Sequence, residues 1–225
     1  MARFTRMHTL QTIISAGMAP VFYNPDPEKV KKIAKACYDG GCRVIEFTNR
    51  GDMAADVYKE LEKYAAKELP EMVLGVGSIS DEGVASLYMQ YGANFLVGQF
   101  FDPAVASVCN KRKVPYLPGC GTLSEIHRAE EAGVEICKLF PAMECGGPSF
   151  IKAVRGPSPW TSIMPTGGVT PDEDCLKEWI SAGAVCVGMG SKLIPSKIPD
   201  DFDYDAMTKT TSGILETIRK IRANK

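Results

Sequence analysis

The stretch Ala132-Gly133-Val134-Glu135-Ile136-Cys137-Lys138-Leu139 decides the fold of this chain. A glycine precedes by about three residues a short apolar run, and the run is interrupted by a single lysine. Three other stretches repeat the layout: GGCRVIEF (40–47), YGANFLVG (91–98) and AGAVCVGM (182–189). Gly41, Gly92, Gly133 and Gly183 suit the left-handed C-cap that turns a helix back towards a following strand.

Working outward, eight such runs are spread along the chain: 18–23, 43–49, 72–78, 95–100, 115–119, 135–141, 162–168 and 185–191. Their near-continuous hydrophobicity is that of strands buried on both faces of a parallel sheet. The segments between them carry helical periodicity. Val30, Ile33, Ala34 and Cys37 form one apolar stripe, Ala54, Val57, Leu61 and Ala65 another, and Leu176, Trp179 and Ile180 a third. Asp26, Asp52, Asp81, Asp102, Thr122 and Asp172 stand where helices should start, as N-cap acceptors. Eight β/α units in 225 residues predict a (β/α)8 TIM barrel, a single domain over 1–225. An N-terminal helix (about 6–16) and a C-terminal helix (about 204–223) complete it. A doubly wound open sheet is the alternative, and eight regular units favour closure over it.

Composition narrows the function. Hydrophobic residues make up 45% and charged residues 24%, and 26 Lys+Arg face 27 Asp+Glu for a net charge of −1. That balance gives no basic excess for nucleic acid and no acidic tail. No apolar run approaches a membrane span, and the N-terminus lacks the pattern of a secretory signal. A cytoplasmic enzyme is expected. The eight cysteines form no C-x-x-C pair and read as free, buried thiols. His8 and His127, the only histidines, show no metal-ligand spacing, so no metal and no cofactor is expected. Trp160 and Trp179 read as packing residues.

Barrel chemistry gathers at the C-terminal ends of the strands, and polar residues inside apolar runs mark it. Lys138 is the first. Lysine is seldom buried without a partner, desolvation disfavours an ammonium, and a neutral amine attacks carbonyl carbon to give a Schiff base. The competing reading is a structural lysine paired with Glu46 or reaching the rim. Glu46, Thr48 and Arg50 come next; strand alternation puts all three on one side. If that side faces the barrel axis, a proton-shuttling carboxylate and a carboxylate-gripping guanidinium converge, unless the two simply pair with each other. The third place is a pair of glycine-rich loops, 165–168 after strand seven and 188–191 after strand eight, where this fold usually binds phosphate. No nucleophile elbow, Walker loop or dinucleotide fingerprint competes.

Taken together, VIEFTNR (44–50), GVGS (75–78), PYLPGCGTLSE (115–125), KLFPA (138–142), PTGGV (165–169) and GSKLIP (190–195) resemble the 2-keto-3-deoxy-6-phosphogluconate (KDPG) and 4-hydroxy-2-oxoglutarate (KHG) aldolase family, from about Pro20 to Pro195. The resemblance implies a metal-free class I aldolase on a TIM barrel, commonly a homotrimer. Its substrate would be a keto sugar acid phosphate and its product pyruvate. It implies Lys138 as the Schiff-base lysine and Glu46 as the acid/base working through water. Arg50 would hold the substrate carboxylate, with Thr48 and Ser78 positioning and Phe140 lining the pocket. Thr166, Gly167, Gly168, Gly190 and Ser191 would hold the phosphate. The chain departs from the family at Gly98-Gln99-Phe100, where S-P-G is frequent, and at Met189, where adjacent glycines often precede the serine. Both departures fall at the rim, beyond the reacting carbons. The remaining alternatives are an aldolase for KHG or for 2-keto-3-deoxy-6-phosphogalactonate, a phosphosugar isomerase or epimerase, and a non-catalytic phosphosugar-binding barrel.

Overall fold

A computed structural model describes residues 2–224. The helices start where local chemistry starts them. Asp26 caps α2 (Pro27–Asp39) by accepting from the Glu28 and Lys29 amides, with proline at the first helical position. Thr122 and Glu125 form a reciprocal capping box at the head of α6 (Leu123–Glu131). Asp81 and Asp102 cap α4 (Glu82–Gln90) and α5 (Pro103–Arg112). Asp52 does not cap α3 (Ala54–Glu68), whose N-cap is Met53 without a side-chain bond. Asp172 occupies the cap position of α8 (Glu173–Ala182), but its carboxylate accepts from the Thr170 hydroxyl instead. The predicted terminal helices are α1 (Arg6–Ala16) and α9 (Tyr204–Ala223). Gly41, Gly92, Gly133 and Gly183 all take positive φ, as their places after helices require.

The strands are β1 (Met18–Phe22), β2 (Val44–Thr48), β3 (Val73–Ile79), β4 (Phe95–Gly98), β5 (Tyr116–Leu117), β6 (Gly119–Cys120), β7 (Cys137–Leu139), β8 (Ile163–Pro165) and β9 (Val187–Met189). Every pairing is parallel. The ladder runs in two arcs, β5-β4-β3-β2-β1-β9 and β6-β7-β8, rather than the single eight-stranded ring the sequence predicts. The run 115–119 splits into two short strands at Pro118, which has no N–H to give to a neighbour. At the other junction a parallel bridge between Thr166 and Gly188 joins the end of β8 to β9. The result is an α/β fold around a curled parallel sheet.

The sheet curls around an interior of its own. Ala19, Val44, Val73, Phe95, Val97, Leu117, Ile136, Met164 and Cys186 form one buried cluster, and α1 adds Ile13. Apart from Ile13 they lie in β1, β2, β3, β4, β5 and β8, or, as Ile136 and Cys186, just before β7 and β9. Strand alternation therefore fixes what stands one step nearer the C-terminal ends on the same face: Glu46 beyond Val44, Lys138 beyond Ile136, Thr166 beyond Met164, and Gly188 beyond Cys186. Outside the sheet a larger cluster, including Tyr58, Tyr88, Leu61 and Trp179, packs the helices onto it. Trp179 is buried as expected, whereas Trp160 is 73% exposed and packs into no core. All eight cysteines are free, and Cys145 and Cys175 are only half-buried. Among the described residues no helix is long and apolar enough to cross a membrane.

Candidate active site

The inner face beyond the apolar cluster is made of small residues, and this makes room for two charges. A side chain at Gly75 would strike the Phe95 ring, one at Gly77 the Glu46 carboxylate, and one at Gly188 the Thr166 hydroxyl. Glu46 is thus seated between β1 and β3, in register with Val21 and Gly75. Lys138 sits between Gly119 and Met164 across the interior.

Lys138 and Glu46 meet there. Lys138 is 6% exposed and Glu46 1%, and Lys138 Nζ lies 3.8 Å from Glu46 Oε1. That is ion-pair distance but beyond a hydrogen bond. Glu46 Oε2 is buried with no hydrogen-bond partner among the described residues. Both groups therefore keep donor or acceptor capacity for a molecule placed between or beside them. Burial pushes the Glu46 carboxyl above its ordinary value, and the Lys138 and Arg50 charges pull it part of the way back. Lys138 Nζ also stands 5.1 Å from the Phe140 ring centroid, within cation–π range.

A cavity of about 320 Å³ opens at the ends of the same strands; Val21, in register with Glu46, and Phe140, two residues beyond Lys138, line it, while Lys138 and Glu46 themselves do not. Arg50, Phe140, Thr166, Gly167, Gly168, Gly190 and Ser191 all line it, so the β2 loop and both late glycine loops converge as the sequence predicts. Gly167 and Gly168 carry φ of 102° and 80°, a conformation open to glycine. The Thr166 hydroxyl oxygen is buried without a partner. Arg50 is exposed and forms no ion pair among the described residues, so the proposed internal Glu46–Arg50 pair is not made. The Glu46–Lys138 pair is made, as the structural reading of Lys138 also anticipated.

Like Lys138 and Glu46, the predicted positioning residues Thr48 and Ser78 are not part of the cavity wall. Thr48 is buried and its hydroxyl donates to the Phe22 carbonyl at 3.2 Å, which ties β2 to β1. Ser78 is half-buried at φ 62°, a left-handed conformation uncommon for serine, where the β3–β4 register shifts. Sequence reasoning missed Tyr23 and Lys192, which both line the cavity. Each lay inside a quoted stretch, 18–23 and 190–195, but nothing in a single tyrosine or a loop lysine sets it apart from a surface residue. No group of three or more metal-ligating side chains is assembled among the described residues.

Residues 10–210 match the family described as KDPG and KHG aldolase. The chain belongs to the KDPG and KHG aldolase family. It is 32% identical over 200 residues to the 2-dehydro-3-deoxy-phosphogluconate aldolase of Pseudoalteromonas atlantica, covering 88% of this chain and 90% of that one. It is 29% identical over 208 residues to the KHG/KDPG aldolase of Escherichia coli, covering 92% and 94%. Among solved structures it is similar to the 2-keto-3-deoxy-6-phosphogluconate aldolase of Zymomonas mobilis with 3-phosphoglycerate. The TM-score there is 0.79 at 25% identity, over 92% of this chain and 94% of that one. The aldolase family thus covers the whole segment that builds the cavity.

Proposed function

We propose that this chain is a metal-independent class I aldolase cleaving 2-keto-3-deoxy-6-phosphogluconate to pyruvate and glyceraldehyde 3-phosphate, on a closed (β/α)8 barrel in which the two arcs of sheet form one interrupted ring. The observation that carries the reading is the buried Lys138–Glu46 pair at 3.8 Å, on the two strands whose ends bring Arg50 and Phe140 to a cavity shared with two glycine loops. The activities of the relatives support the same chemistry.

In this reading Lys138 Nζ, as the free amine, attacks the C2 ketone of the substrate. The carbinolamine loses water to an iminium, with the C1 carboxylate on Arg50. Glu46, through a water, takes the proton of the C4 hydroxyl. The C4–O electrons form the aldehyde carbonyl, the C3–C4 bond breaks, and its electron pair enters the iminium to give an enamine. Glyceraldehyde 3-phosphate leaves, C3 takes a proton back, and water releases pyruvate from Lys138. The interior supplies an amine and a carboxylate already fixed in place, so little reorganisation is left for the transition state. Phosphate lies against Thr166, Gly167, Gly168, Gly190 and Ser191. The same steps serve KHG, which differs beyond C4, and 2-keto-3-deoxy-6-phosphogalactonate, which is the C4 epimer. A homotrimer belongs to the same proposal.

The deciding experiment incubates the protein with pyruvate, reduces with borohydride and maps the modified peptide by mass spectrometry. The reduced pyruvate adduct should sit on Lys138. Folded protein with no adduct on any lysine would sink the mechanism.

A further inference from the structure

The surface lysines Lys29, Lys31, Lys35, Lys59, Lys63, Lys67 and Lys220 each pair with a carboxylate at 2.6–3.1 Å. Lys192, like Lys32, Lys111, Lys113, Lys152, Lys177, Lys197 and Lys209, makes no such pair among the described residues, and of these lysines it alone lines the cavity. It is exposed and forms no hydrogen bond among the described residues. The cavity wall holds two cations, Arg50 and Lys192, and no carboxylate. A cationic wall of this kind selects an anionic guest.

The two cations leave the sheet at different places. Arg50 follows β2 and Lys192 follows β9, and β1 lies between those strands. Two strand spacings separate the points of departure, roughly 10 Å. That separation suits a molecule with an anion at each end, and it exceeds what a three-carbon acid can bridge. The loops after β8 and β9 contribute neutral donors to the same wall: the Ser191 hydroxyl, the Gly190 and Gly167–Gly168 backbone, and the Thr166 hydroxyl, which is buried and unpartnered. Neutral donors orient a phosphate, but only a formal charge favours a dianion strongly over an uncharged hydroxyl of similar shape. Lysine is suited to this as a compact point charge, with no need for a planar fork.

We infer that Lys192 is the residue that sets selectivity for a phosphorylated substrate, by pairing with a phosphate monoester at the tail of the keto acid. The inference rests on the aldolase reading for the identity of that substrate. The anion site itself does not depend on it.

The test compares wild type, Lys192→Gln and Lys192→Arg on a six-carbon 2-keto-3-deoxy acid with and without its terminal phosphate. In Lys192→Gln the ratio of the two kcat/KM values should fall about tenfold, through the KM of the phosphorylated acid, as loss of one charge-assisted contact requires. Lys192→Arg should restore the ratio to within about threefold, since the charge returns with a different shape. Pyruvate trapping on Lys138 should match wild type, because pyruvate has no tail. A ratio that does not move, an equal loss on both acids, or lost pyruvate trapping would each overturn the inference. Inorganic phosphate, titrated by calorimetry, separates the two readings: its Kd should rise about tenfold in Lys192→Gln whether or not the protein is an aldolase. Phosphate binding that depends on Lys192 in a protein trapping no pyruvate would refute the aldolase reading and keep the anion site.

Discussion

Gly77 lies flat against the Glu46 carboxylate, so close that a methyl group at position 77 would overlap Oε1. The atom it would strike is the far end of a flexible side chain, not backbone. Gly77→Ala should therefore fold and displace the carboxylate from Lys138. With the acid/base moved, kcat should fall about 10²-fold or more, the usual worth of a positioned proton-transfer group. Lys138 should still trap pyruvate under borohydride. A variant with wild-type kcat would show that Glu46 does not act from its observed seat.

The pH dependence of Glu46 follows from its burial. Its folded-state pKa is raised from 4.5, so the folded protein binds a proton that the unfolded chain has already released. The stability this gives is full below the unfolded value and is lost as pH rises through the raised folded value. Glu46→Gln removes the titration. Its unfolding free energy should therefore gain on wild type as pH climbs from about 4.5 upward, by at most about 1.4 kcal/mol per pH unit. Urea melts at a series of pH values measure this. The acid limb of wild-type kcat should lie above the ordinary carboxylate range and disappear in Glu46→Gln, and a flat stability difference would refute the raised value.

Much of this arrangement was legible in the sequence, for identifiable reasons. The eight apolar runs and the αL glycines report backbone needs that no neighbour can change, and all of the runs contain strands. Lys138 and Glu46 stood out because charge inside a buried strand is costly and therefore rare. What escaped notice depends on packing across the chain. The split of run 115–119 at Pro118 is local, but its effect, a ladder in two arcs, belongs to the pairing of strands far apart in sequence. Asp52 had the right chemistry for a cap and lost the position to Met53 by one residue. Thr48 shows the right side of the strand with its hydroxyl already committed to the Phe22 carbonyl. Tyr23 and Lys192 became visible only when strands far apart in sequence brought their loops to one cavity.

Lys138→Ala should abolish cleavage, since among the described residues no other lysine pairs with Glu46. It also leaves a buried carboxylate without its counter-charge. Breaking one side of a buried pair costs about 3–5 kcal/mol while the remaining group stays ionised. Losing Lys138 raises the Glu46 pKa further, so protonation relieves the cost at low pH. The variant should be markedly less stable than wild type at pH 8 and closer to it at pH 5, by thermal melts. Equal destabilisation at both would argue against the pair. Lys138→Ala with more than about a tenth of wild-type turnover would remove the Schiff-base assignment, because a covalent nucleophile contributes far more than tenfold.

Arg50 lines the cavity with its charge uncommitted. Arg50→Ala should raise KM for the keto acid, and the pyruvate concentration needed for half-maximal trapping, by about 10–100-fold, the range for hydrogen bonds to a charged group. Arg50→Lys should recover only part of this, because an ammonium cannot offer the bidentate fork. An unchanged half-maximal pyruvate concentration in Arg50→Ala would place the carboxylate elsewhere.

Thr166 offers a test in which stability and function move in opposite directions. Its hydroxyl is buried with no partner, and its position depends on the absence of a side chain at Gly188. A buried hydroxyl without a partner carries a desolvation cost of about 1–3 kcal/mol that a methyl group of the same size does not. Thr166→Val should therefore be as stable as wild type or up to about 1 kcal/mol more so, the signature of a polar atom kept for use. The same change removes a donor from the anion end of the cavity, so KM for the phosphorylated acid should rise several-fold while pyruvate trapping on Lys138 is retained. Urea denaturation and initial rates on one preparation give both numbers. A Thr166→Val protein that loses stability and keeps its KM would mean that the hydroxyl serves the fold and not the ligand.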